Sequence, residues 1–146
     1  MSFAKPLHDG HASLDARSLE VVSKVGLDSS DLAISLLEQS QDCVKILSVD
    51  GRLDFMNCNG MDAMEIDDPD QVLGQLWWHL WPDHAQVMVK NKFHAARNGR
   101  TVQFEASCPT VKGNPRRWSV NLKPMLAAAG PVVLVLATSR EIGRAR

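Results

Sequence analysis

The chain has 146 residues, 45% apolar and 23% charged, with sixteen basic side chains against seventeen acidic and a formal net charge of -1. This is too apolar for a disordered segment and too evenly charged for a protein steered by its overall field toward nucleic acid or an anionic membrane. Small molecules and other proteins are the expected partners. The length suits one domain with a real core.

The N-terminus lacks the apolar core of a secretory signal. The longest apolar stretch, Met125 to Ala137, is broken by Gly130-Pro131 and is shorter than the roughly 18 residues a membrane helix needs. Three cysteines, Cys43, Cys58 and Cys108, are odd in number and far apart, which suits reduced thiols rather than a disulfide framework. The expectation is a cytoplasmic protein that does not span a bilayer.

In chain order, residues 1–11 read as a loose tail. From Ser13 to Val25 a weak helical stripe, Leu14, Val21, Val22 and Val25, ends at Gly26. Ser29, Ser30 or Asp31 can cap a second helix carrying Leu32, Ile34, Leu36 and Leu37. Residues 43–49 and 52–57 are strand-like and flank Asp50-Gly51, a strong hairpin signal because such pairs tolerate positive φ. Asn57 to Asp68 reads as a short helix and loop, and Pro69 to Gly74 as a turn. The run Leu76-Trp77-Trp78-His79-Leu80-Trp81 is too aromatic for a solvated loop. Pro82 allows a helix from about Asp83, with Ala85, Val89, Phe93 and Ala96 on one face and Lys90, Lys92 and Arg97 turned to water, until Asn98-Gly99 stops it.

The last third is strand after strand. Val102, Phe104, Ala106 and Cys108 alternate with polar residues, and after the turn Pro109 to Pro115 so do Trp118, Val120 and Leu122. Val132 to Ala137 is apolar on both faces, which predicts a central strand covered on both, the N-terminal helix being an economical cover for the second.

This order and several local motifs resemble the bacterial sensor-kinase type of PAS domain. Asp42 to Leu47 with Asp50-Gly51 and Phe55-Met56-Asn57 looks like that family's opening hairpin. Gly74, Trp77 and Leu80-Trp81-Pro82-Asp83 resemble its helix junction. Ala95-Ala96-Arg97 with Gly99-Arg100, Phe104-Glu105, Cys108-Pro109-Thr110 and Lys112-Gly113 resemble its passage from helix to strand. Trp118, Val120, Pro124 and the closing Ser139-Arg140-Glu141-Ile142 complete a likeness over about Asp31 to Ile142. At the end the family usually has Asp-Ile-Thr, where this chain has Glu141-Ile142-Gly143.

The resemblance implies an α+β fold: a five-stranded antiparallel sheet with short helices and one longer helix on one face and an N-terminal helix on the other. It divides the chain into 1–28, a tail with a dimerisation helix; 29–142, the sensor domain; and 143–146, the start of a linker or tail. It implies a pocket near Ile46, Phe55, Met56, Met61, Met64, Trp77, Leu80, Val89, Phe93, Trp118 and Val120, all of which would serve equally as plain core. Glu141 and Ile142 would be the exit to an output kinase or other effector, in cis or in trans. Leu14, Val21, Val22 and Val25, with the second helix, offer more apolar surface than one sheet face can cover, so a homodimer is expected. The alternatives are a pocketless PAS module that only dimerises or binds proteins, and a haem-binding sensor.

The expected cofactor is unassigned. Light-sensing PAS proteins resemble one another in an Asn-Cys-Arg-Phe-Leu-Gln run whose Cys attacks flavin. Trp77 and Trp78 stand there in this chain, Cys58 and Cys108 lie elsewhere in the sequence, and the chain has no Tyr, which the hydroxycinnamate-binding photoreceptors of the fold need. Haem-binding members take an axial His from the long helix, where this chain has His94. His79 and His84 share no helix face, and neither HExxH nor CxxC occurs, so a zinc site is not expected. No nucleophile, base and orienting group can be assembled, so the expected role is sensing and not catalysis.

Overall fold

The computed structural model describes residues 29–143. The dimerisation stripe Leu14, Val21, Val22 and Val25 lies outside them. The chain divides into two compact units, Met1–Leu37 and Glu38–Arg146, and the sheet with its covering helices belongs to the second. Helix α1 spans Ser29–Gln39.

Strands β1 (Cys43–Leu47) and β2 (Leu53–Met56) form the expected hairpin. Its turn is not the two-residue kind. Ser48 O accepts from Gly51 N at 2.9 Å, Ser48 N donates to Arg52 O at 2.9 Å, and in this loop only Gly51 has positive φ, 89°. The connection is therefore a three-residue loop closed by a glycine bulge. A Cβ on Gly51 would stand 2.3 Å from the Trp78 ring, so contact as well as φ requires glycine here.

The sheet continues with β3 (Val102–Ser107), β4 (Arg117–Leu126) and β5 (Val132–Gly143). Its order is β2-β1-β5-β4-β3, every pair antiparallel, with the final strand in the centre as its apolar run predicts. The period of two sends Cys43, Lys45, Leu47, Trp118, Val120, Leu122, Val135, Ala137 and Ser139 toward one face, where all are buried.

Between β2 and β3 the chain builds helix α2 (Cys58–Ala63), 3-10 turns at Pro69–Gln71 and Trp77–Leu80, and helix α3 (Asp83–Arg97). Helix α3 buries Ala85, Val89, Phe93 and Ala96 as its periodicity predicts and packs on β3, β4 and β5, while α2 packs on β1. The outer edge of β2 is not left bare. Leu53 N donates to Gln75 O at 2.9 Å and Gly74 N to Leu53 O at 2.8 Å, which ties the approach to Trp77 to the sheet. Among the described residues no helix is long and apolar enough to cross a membrane.

Asn57, fully buried, joins the hairpin to the helical layer. Its Oδ1 accepts from Gly60 N at 2.9 Å, capping α2, and from Val44 N at 3.1 Å, while Nδ2 donates to Asp42 O at 3.1 Å. Asn57→Ala would leave backbone groups of both elements unpaired in the interior. It is expected to lower the unfolding free energy by roughly 2–3 kcal/mol, read as a lower urea midpoint with unchanged slope.

Candidate functional site

Covering one face of a sheet with 3-10 turns rather than a continuous helix leaves a gap, and here the gap is a cavity of about 280 Å³. Its floor is the inward face of the sheet: Cys43 and Lys45 from β1, Met56 from β2, Trp118 from β4 and Ser139 from β5. Met64, Ile66, Val72, Trp77, Leu80, Trp81 and Pro82 form the roof, and residues 108–111 close the side. The rings of Trp77 and Trp81 meet edge to face at 5.7 Å, and Trp118 Nε1 donates to Cys108 O at 3.0 Å, so the aromatic walls are held in place.

One charge-bearing side chain enters this apolar space. Lys45 is 4% exposed, and its Nζ donates to Ser139 Oγ at 2.8 Å, with longer contacts to Cys43 Sγ at 3.2 Å and Cys43 O at 3.3 Å. All three partners are neutral acceptors or hydroxyls. Burial pushes the Cys108 thiol up to about 11, with the Lys45 charge acting the other way. That thiol is therefore protonated and a poor nucleophile.

A clasp closes the side of the cavity. Glu65, the one non-glycine residue with positive φ (57°) among the described residues, turns its carboxylate to accept from both Thr110 Oγ1 and Asn114 Nδ2. Val111 N donates to Met64 O at 2.9 Å, and Lys112 meets Asp67 at 3.2 Å. Hydrogen bonds from Thr110 and Asn114 hold the Glu65 carboxyl below its ordinary pKa.

Of the residues expected near a pocket, Met56, Met64, Trp77, Leu80 and Trp118 line the cavity. Ile46 and Phe55 do not. They pair with each other across the hairpin one position out of phase with Lys45 and Met56, so strand alternation sends them to the opposite face. Val89, Phe93 and Val120 are fully buried core away from the lining, and Met61 packs against that core. His94 is also outside the lining, its ring 5.9 Å from Trp78 and 5.5 Å from Phe93. No imidazole faces the cavity, so His94 is not placed to ligate a haem there. Among the described residues no cluster of three His, Cys, Asp or Glu could hold a metal.

Glu141 and Ile142 lie near the end of β5, just before its last residue, Gly143, with Glu141 at 3.5 Å from Arg116. Sequence reasoning missed Lys45, Cys43 and Ser139. The signal was available: in Cys43-Val44-Lys45-Ile46-Leu47 the alternation puts Lys45 in phase with apolar Cys43 and Leu47, a lysine on an inward position.

A model of the PAS fold matches residues 37–146. Among solved structures, the PAS domain of an HTR-like protein from Haloarcula marismortui is 22% identical, with a TM-score of 0.65 over 78% of this chain and 97% of that one. A PAS domain from Colwellia psychrerythraea is 14% identical, with a TM-score of 0.70 over 79% and 98%. The Rhodobacter sphaeroides LOV protein is 14% identical, with a TM-score of 0.66 over 82% and 70%. At these identities the likeness is one of fold. No curated protein matches the sequence.

The clasp gives a pH dependence with a definite sign. A carboxyl whose folded-state pKa is depressed stabilises the fold fully above the ordinary carboxylate range, and that contribution is lost as pH falls through the depressed value. Glu65→Gln should therefore melt below wild type near neutral pH, and the gap should close as pH falls below the ordinary carboxylate range. Melting curves of the two proteins across that range check it.

Proposed function

We propose a function from one premise: the chain belongs to the PAS family. It is a sensing module whose cavity takes a small ligand and whose central strand carries the consequence out. The observation behind this reading is the Lys45–Ser139 hydrogen bond, which joins the cavity to β5 two residues before Glu141. A ligand that accepts from Lys45 redistributes the donors now shared between Ser139 and Cys43, and any shift of Ser139 is passed along a strand bonded to β1 on one side and β4 on the other. Glu141 and Ile142 are the proposed exit toward an effector in cis or in trans, in the cytoplasm. The stripe Leu14, Val21, Val22 and Val25 is the proposed homodimer contact.

Native mass spectrometry of the purified chain, with melting curves against a small-molecule library, tests the reading. A retained small molecule is expected, or a compound that at a hundred times its Kd adds about 2.7 kcal/mol and raises the melting point by roughly 10 °C. Met64→Trp, which fills the cavity, should fold and lose the response. A bare mass with no responding compound would instead favour a module that only dimerises.

A further inference from the structure

The polar chemistry of the cavity indicates what kind of molecule it takes, an inference that rests on the ligand-binding reading above. Lys45 brings an ammonium to a site where it is 4% exposed. A buried ammonium is costly to leave with neutral partners alone. Its one short contact is to Ser139 Oγ at 2.8 Å, and the other two, to Cys43, lie at 3.2 and 3.3 Å. None of the ion pairs among the described residues includes Lys45. The neighbouring Cys108 thiol is protonated by burial and supplies no negative charge.

We infer that the cavity selects small apolar monocarboxylates, the carboxylate accepting from Lys45 Nζ and Ser139 Oγ and the hydrocarbon lying among Met56, Met64, Trp77 and Trp118. The single positive group is matched by a single negative one, and a second charge on the ligand would be buried against methionine and tryptophan without a partner. Thioether and indole surfaces suit a flexible hydrocarbon, to which they adapt. At the packing density of protein interiors, the volume holds a ligand of about ten to twelve non-hydrogen atoms, the size of a medium-chain acid.

Titration of the full chain with hexanoate, octanoate and decanoate, each beside its matching alcohol, tests the inference by calorimetry and tryptophan fluorescence. At least one acid is expected to bind with one-to-one stoichiometry and about ten-fold or more tighter than its alcohol, the scale of a charge-assisted hydrogen bond. Lys45→Met, which removes a buried charge at similar volume, should erase or invert that preference. Alcohols that bind wild type as tightly as the acids would overturn the inference and leave the ligand-binding reading standing. So would an acid preference that survives in Lys45→Met. The wild-type comparison decides the matter even if the variant does not fold. Silence from all six compounds overturns the inference, and silence from the wider library as well removes the ligand-binding reading with it.

Discussion

Consecutive strands β2 and β3 occupy opposite edges of the sheet, because β5 enters between β1 and β4. The chain between them must therefore travel the width of five strands, about 19 Å at the usual spacing of strands. It makes the journey over one face only. Helix α3, fifteen residues and so about 22 Å long, covers the β3, β4 and β5 side, and the stretch before it has to cover the rest with α2 and two 3-10 turns. The cavity lies where this coverage is made of short pieces. Its position follows from strand order before any side chain is considered.

Side chains then decide what the gap becomes. A void lined by leucine and valine on mobile segments would collapse, since unfilled space forfeits dispersion contacts. Here the roof is held by backbone bonds that Gly74 N donates to Leu53 O and Leu53 N to Gln75 O, the side by the Glu65 clasp, and the floor by the sheet ladder. Within that frame Lys45, with Ser139 as its partner, is the one charged side chain in a lining that is mostly hydrocarbon and sulfur, while the Thr110 hydroxyl is engaged by Glu65. A rigid frame with a single directional group is the arrangement that gives selectivity rather than loose partitioning.

The elements were legible where periodicity was strong. Ala85, Val89, Phe93 and Ala96 mark the face of α3, and the alternation from Val102 to Cys108 and from Trp118 to Leu122 marks β3 and β4. The central position of β5 could be read because Val132 to Ala137 is apolar on both faces. The cavity was only half legible. Met56 and Trp118 are pocket residues by strand phase, and the same rule excludes Ile46 and Phe55, which were grouped with them on hydrophobicity alone. The clasp had no readable signal. Glu65 meets Thr110 and Asn114 across more than forty residues, and its positive φ is a local cost that those tertiary bonds help to offset. The Asp-Gly turn marked the hairpin correctly, but its loop is one residue longer than the pair implies, with only Gly51 taking positive φ.

The bond from Lys45 to Ser139 spans 94 positions of sequence. Strand β1 is made early in synthesis and can pair at once with β2, yet its other neighbour is the last of the five strands to leave the ribosome. Until then Lys45 faces an open sheet edge, and no floor joins the two sides of the cavity. Contacts this distant are slow to form because loop closure precedes their reward. The floor of the cavity is therefore a late product of folding, complete only when the last strand has entered between β1 and β4.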